Sequence, residues 1–193
     1  MYKRIYQFKI TLEDISPPIW RRIQVPETYS FWDLHVAIQD AMGWWDSHLH
    51  AFRFKGQPEI GIPVGEFPEQ GEVLAGWQIQ IDEYFRRVGD SVRYEYDFGD
   101  GWNHEVLLEG ILLKEKGKRY PRCIDGERAC PPEDCGGPLG YYELLEIISD
   151  PHHEEHEETM VWLGGKYNPE RFNPKNVKFD NPHERWQYAF GGD

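Results

Sequence analysis

Long apolar runs are missing from this chain. No segment of its 193 residues is continuously hydrophobic over the roughly 20 residues that a membrane-spanning helix requires. The first residues, MYKRIYQFKITLED, alternate apolar and polar side chains and hold no apolar block of the kind that marks a secretory leader. Cysteine is scarce and odd in number: three residues, with no secretory context, do not make a disulfide framework. These absences point to a cytoplasmic protein with no membrane contact. Positive charge is also short, at 21 Lys and Arg against 34 Asp and Glu, a net charge of −13. Proteins that grip nucleic acid draw most of their non-specific affinity from Lys and Arg set against phosphates, so a nucleic-acid partner is not expected. The one basic run, Lys114, Lys116, Lys118, Arg119 and Arg122, reads as a solvated loop face. No nucleophile–base pattern and no cofactor motif is present.

Aromatic residues are plentiful, at 15% with eight Trp, beside 39% hydrophobic and 28% charged residues. That composition belongs to a globular chain with one aromatic-rich core. Trp and Tyr also suit binding surfaces, because each offers a broad apolar face with a polar handle.

Periodicity organises the first half. Tyr6, Phe8, Ile10 and Leu12 alternate with polar neighbours, as do Ile19, Arg21, Ile23 and Val25 after the Ser16-Pro17-Pro18 break. Period-two patterning of this kind predicts two strands of a hairpin. Ser30 followed by Asp33 is an N-cap signal, Phe31, Leu34, Ile38 and Met42 recur at helical spacing, and Gly43 suits a left-handed stop. Residues 31–42 are therefore expected to be an amphipathic helix. An extended segment is expected over His48–Lys55, with His48, His50, Phe52 and Phe54 on one face. Residues 56–72, rich in Gly and Pro, read as a surface loop, and Asp82–Val88 as a short helix ended by Gly89. Val92, Tyr94, Tyr96 and Phe98, then Trp102, His104, Val106 and Leu108, alternate on either side of Gly99-Asp100-Gly101, which predicts a second hairpin. Periodicity disappears over 117–140 and returns as helices around Tyr141–Ile148 and Glu154–Leu163, with a last helical turn near Trp186. The expected fold class is α+β. It opens strand-strand-helix-strand in the manner of a β-grasp, with a mixed or antiparallel sheet, a second hairpin, and C-terminal helices packed on it. The whole chain, 1–193, reads as one domain. Its first part, 1–116, holds the sheet and two helices; its second, 117–193, holds a cysteine-bearing loop and the C-terminal helices.

Chemistry concentrates in two segments, YEYDFGDGWNH (94–104) and PRCIDGERACPPEDCGG (121–137). Asp97, Asp100 and His104 surround one turn, where a carboxylate pair and an imidazole can hold a metal ion or move protons. The plainer reading is turn chemistry, with Asp accepting from backbone N–H groups. Trp102 lies between them, and His48 and His50 are a second candidate wall of the same pocket. Glu133 and Asp134 either cap the following helix or point into a cleft. Cys123, Cys130 and Cys135 are spaced C-x6-C-x4-C, wider than the paired spacing of zinc modules. Zinc would need a fourth ligand from His104, His152, His153 or His156; otherwise the cysteines are small buried apolar residues. The HHEEH run at 152–156 lacks the order of a metalloprotease helix and reads as a solvated acidic helix end. From Cys123 to Met160 there are eleven acidic residues and one basic one, Arg128, a balance that suits a cationic partner or a metal and repels DNA.

The segments LHVAIQDAMGWWDSHLHAF, YDFGDGWNHEV, PRCIDGERACPPEDCGGPLGY and WLGGKYNPERFNP, spread over residues 3–180, resemble the plasmid pRi third-open-reading-frame family, some of whose members carry the label of TnpR-type insertion-element passenger proteins. The resemblance implies a compact α+β domain of bacteria and archaea, sometimes fused to small zinc-binding modules. The resolvase label finds no support in the residues, which show neither a serine-recombinase pattern nor a basic recognition helix. The leading expectation is a binding module for a protein or peptide partner. A metal-dependent hydrolase built around Asp97, Asp100 and His104 is the alternative. A DNA-associated transposition accessory using Arg21, Arg22, Arg86, Arg87 and Arg93 is the weaker third.

Overall fold

A computed structural model describes residues 2–63 and 72–191. Its strands are β1 (Arg4–Leu12), β2 (Trp20–Pro26), β3 (His50–Arg53), β4 (Glu59–Gly61), β5 (Val73–Ala75), β6 (Ser91–Tyr96), β7 (Trp102–Leu113) and β8 (Arg122–Glu127). Its helices are α1 (Phe31–Met42), α2 (Gly137–Ser149), α3 (His156–Trp162) and α4 (Pro182–Phe190), with 3₁₀ turns at Ile81–Glu83 and Pro174–Asn176. The strands form one sheet in the order β5-β4-β3-β6-β7-β1-β2-β8, parallel only between β4 and β5. The fold is α+β with a mixed sheet, and the chain opens strand-strand-helix-strand as its periodicity predicts.

The two hairpins form the centre of the sheet. β1 pairs with β2 on one side (Phe8 opposite Ile23, Ile10 opposite Arg21) and with β7 on the other (Phe8 opposite Leu108, Ile10 opposite Val106). The alternating side chains Phe8, Ile10, Ile23, Val25, Val106 and Leu108 thus share one buried face. Helix α1 lies on that face. Ser30 and Asp33 cap it reciprocally: Asp33 N–H donates to Ser30 Oγ at 3.1 Å and Ser30 N–H to Asp33 Oδ2 at 2.9 Å. Gly43, at φ +95°, ends it. Phe31, Leu34, Ile38 and Met42 point to the core, as the spacing requires, but Trp32, His35 and Gln39 on the other side are buried too. The reason is α4. The Trp32 indole N–H donates to Pro182 O at 2.9 Å, Arg185 Nη2 donates to Asp40 Oδ1 at 2.8 Å, and Phe190 packs on Trp32 and Trp77.

Four local expectations are corrected. Within the segment read as a loop, 56–72, Glu59–Gly61 forms β4; three residues are too few to show a period, and residues 64–71 of that segment lie outside the described ones. Asp82–Val88 is not a helix. A single 3₁₀ turn, Ile81–Glu83, does not propagate, because the next N–H groups, of Arg86 and Arg87, donate to Asp90 Oδ2 at 2.8 and 2.9 Å instead. The segment read as irregular, 117–140, contains β8, which pairs with β2 at the sheet edge. Its RCIDGE residues are half-buried up to Ile124 and exposed at Asp125 and Glu127, with no run of alternating apolar side chains to read. His48 and His50 do not share a strand face, because β3 begins only at His50.

Candidate functional site

Three segments distant in sequence meet at one end of the sheet: the turn after α1 (Gly43–Leu49), the turn between β6 and β7 (Asp97–Gly101), and the loop leading into α2 (Ala129–Gly136). Trp44 joins them. Its indole N–H donates to Pro131 O at 3.0 Å, and its ring stacks on Tyr96 with centroids 5.0 Å apart. The Tyr96 hydroxyl accepts from Ser47 N–H at 3.0 Å and donates to Glu133 Oε1. Glu133 Oε2 in turn accepts from Trp45 N–H at 2.9 Å. Burial and the adjacent Glu133 carboxylate push the Tyr96 phenol well up, so it remains a donor at neutral pH.

The hairpin turn is closed by Gly101 N–H donating to Asp97 O at 2.6 Å, with Asp97 itself at φ +54°. Asp97 uses one carboxylate oxygen for this turn: Oδ1 accepts from Gly99 N–H at 3.0 Å and Asp100 N–H at 3.4 Å. Its Oδ2 faces away, 3.6 Å from His48 Nε2. The same His48 nitrogen lies 3.0 Å from Asp134 Oδ1. Asp100 turns to the other side, where its Oδ2 accepts from Gly136 N–H at 3.2 Å. Gly137, at φ +69°, lets the loop close on the hairpin: a Cβ there would stand 2.3 Å from Asp100 O. Gly137→Ala is therefore expected to cost about 1–3 kcal/mol of stability and to move Asp134 away from Asp97. Urea unfolding monitored by tryptophan fluorescence checks the first part, and an unchanged midpoint would count against this packing.

The structure regroups the residues singled out in the sequence. Asp97, His48 and Asp134 come together; Asp97, Asp100 and His104 do not. His104 is fully buried on β7 opposite Tyr94, edge-on to Trp44, with its Nδ1 3.3 Å from Tyr94 O. Burial holds its pKa at about 3, so it is a neutral core side chain. His50 is equally buried, stacked on His35 at 3.5 Å, and its pKa lies well below the usual imidazole value because of burial and then of His35. Trp102 is a core residue, 5.9 Å from the Trp44 ring. Glu133 and Asp134 do not cap α2, whose N-cap is Gly136 without a side-chain bond; they face the cleft.

Nor does a thiol join the metal-ligating group found among the described residues, which comprises His48, Asp97 and Asp134. Cys123 sits on β8 with its Sγ 3.4 Å from Asp125 O, whereas Cys130 and Cys135 flank the Pro131-Pro132 turn. Of the four candidate fourth ligands, His104 is in the core beside Trp44. Burial raises all three thiols, Cys135 to about 12, which keeps them protonated at neutral pH.

Beside this corner opens a cleft of about 620 Å³, lined by Trp44, Trp45, Glu133, Asp134, Trp162 and Tyr167 among others. Trp45 is 85% exposed and Trp162 52%. The sequence pattern missed Trp162, on α3, and Tyr96, which read as one of the alternating positions of the second hairpin. It missed as well a buried relay in which Gln39 Nε2 donates to Tyr94 Oη at 2.9 Å, Tyr94 Oη lies 2.8 Å from His35 Nδ1, and His35 Nε2 lies 2.7 Å from Asp46 Oδ1.

The cleft and its three-segment corner lie within a stretch that matches a known family profile, the plasmid pRiA4b ORF-3-like proteins, over residues 4–176. The chain belongs to that family. A relative, the uncharacterized protein y4hQ of Sinorhizobium fredii (strain NBRC 101917 / NGR234), is 37% identical over 164 residues, which cover 85% of this chain and 83% of that protein. A crystal structure of a protein of unknown function, MM3350 from Methanosarcina mazei Go1, superposes with a TM-score of 0.83 at 42% identity, covering 93% of this chain and all of that one. The α+β fold of this ORF-3-like chain is thus shared by a solved relative. No helix among its described residues is long and apolar enough to cross a membrane.

Proposed function

We propose that the protein is a binding module, acting in the cytoplasm, that receives a basic peptide segment of a protein partner in the cleft between Trp45 and Trp162. The observation that carries this reading is an open cleft whose lining includes two solvent-exposed tryptophans, Trp45 and Trp162, and the acidic Glu133 and Asp134. Exposed Trp rings supply large contact areas at little conformational cost, and they take cations on their faces. The surrounding segment, Cys123–Met160, has eleven acidic residues against Arg128 alone, so its field attracts Lys and Arg. It also disfavours the DNA-associated reading, since phosphate would meet the same field.

Selection of random peptides displayed on phage against the folded chain tests this. Enriched peptides are expected to carry Lys or Arg beside an aromatic or apolar residue. Trp45→Ala is expected to weaken a selected peptide by about tenfold or more, as loss of an aromatic anchor does. Enrichment of acidic peptides, or none, would overturn the reading. A metal-dependent hydrolase is the second reading. Its support is the grouping of His48, Asp97 and Asp134, which replaces the trio expected from the hairpin alone.

A further inference from the structure

We infer that His48, Asp97 and Asp134 form a binding site for one first-row divalent metal ion. The site stands whatever occupies the neighbouring cleft.

One nitrogen and two carboxylate oxygens lie within 4.8 Å of one another. Ligands held at about 2.1 Å from one ion are roughly 3–4 Å apart, so the separations of 3.0 Å (His48 to Asp134) and 3.6 Å (His48 to Asp97) are those of a chelating set. The carboxylate of Asp97 provides a second, separate indication. The residue is only 9% exposed, and its Oδ2 accepts no hydrogen bond from the described residues, since 3.6 Å is beyond hydrogen-bond reach of His48. That leaves Oδ2 as an anionic acceptor turned toward His48, where a cation can take it. Its other oxygen is fixed by Gly99 and Asp100 N–H groups, so Oδ2 cannot turn elsewhere without opening the hairpin turn. The ligands are presented by three separate segments, held together by the Trp44–Pro131 and Asp100–Gly136 hydrogen bonds. This is how a site is pre-organised rather than how surface carboxylates scatter.

The donor set selects the ion. Imidazole with carboxylates suits manganese, iron, cobalt or zinc, whereas calcium takes six to eight oxygens. Three protein ligands leave coordination positions open, on the side of the partly exposed His48 and the exposed Asp134.

Cobalt(II) is the probe, because its visible spectrum reports its ligands. The purified chain is expected to take up one cobalt ion, with d–d absorption and no thiolate-to-cobalt charge-transfer band. His48→Gln and Asp134→Asn are expected to weaken uptake at least about tenfold each, as loss of a ligand or even of its supporting partner does. Both side chains reach solvent, so both variants should fold, which circular dichroism verifies. Cys130→Ser is expected to bind as the parent does. No uptake by the parent chain, a thiolate band abolished by Cys130→Ser, or uptake unchanged in His48→Gln and Asp134→Asn would each overturn the assignment.

Discussion

Lowering the pH from 6.5 to 4.5 is expected to remove about 5 kcal/mol of folding stability, comparable to the whole stability of many domains. The effect comes from His50 and His104. Both are buried and neutral in the fold: His104 keeps a pKa of about 3, and His50 lies well below the usual value. In the unfolded chain each takes up a proton below about 6.5. The unfolded state then binds more protons than the native one, and stability falls as the pH drops, by about 1.4 kcal/mol per pH unit for each histidine. Above about 7.5 neither imidazole contributes an appreciable slope. Asp33 and Asp40 work in the opposite direction, since burial raises their pKa values and protonation then favours the fold, which softens the lower end of the curve. Urea midpoints measured from pH 7.5 to 4.5 read the slope directly. His104→Gln should flatten it by about one histidine's share. A stability that stays level between 6.5 and 4.5 would show that these imidazoles are not buried neutral.

Arg21→Met is expected to destabilise the fold by about 3–5 kcal/mol, because three backbone carbonyls lose their donor at once. Arg21 sits on the core face of β2 with 1% exposure. It has no carboxylate partner among the described residues. Its Nε donates to Ala41 O at 2.9 Å, its Nη1 to Trp20 O at 2.8 Å and Glu127 O at 2.9 Å, and its guanidinium lies 3.7 Å from the Phe172 ring centroid. One side chain thereby ties the end of α1 to β2, β8 and the C-terminal tail. Methionine fills much of the volume but leaves those carbonyls without donors, each worth about 1–3 kcal/mol when buried. Lysine cannot reproduce the fork and should recover only part of the loss. A midpoint within about 1 kcal/mol of the parent for Arg21→Met would mean that water replaces the guanidinium at little cost.

Both features explain how far the sequence could be read. The alternation through Ile19, Arg21, Ile23 and Val25 placed Arg21 on the inner face correctly, because period two is set by backbone geometry whatever the residue. What it could not show is that three carbonyls from elsewhere converge on that arginine. The hairpins, α1 with its Ser30–Asp33 cap, and α2 were legible for the same local reason: their signals lie within a few residues. β8 was not, since edge pairing depends on what β2 leaves open. The site divides in the same way. Asp97 and Asp134 were marked by turn-rich, polar surroundings and His48 as a second wall of the same pocket, yet grouping Asp97 with His104 by closeness along the chain failed. His104 stands on the inward-facing register of β7 with Trp102, and two residues along a strand carry it roughly 7 Å deeper than the turn. His48 and Asp134 reach Asp97 only through tertiary packing, which no short-range pattern encodes.

The corner formed by residues 43–49, 97–101 and 129–136 exists only in the folded chain. Anything that holds those three strips together must therefore oppose unfolding of the whole sheet. Mass action sets the size: at a free concentration one hundred times its dissociation constant, a ligand adds about 2.7 kcal/mol to the native state and none to the unfolded one. Melting temperature thus becomes a chemical detector. A panel of metal salts and peptides screened by differential scanning fluorimetry would reveal an occupant of this corner as an upward shift, whatever reaction it does or does not undergo there. The Gly137→Ala chain, with its strips spread apart, would be the blank.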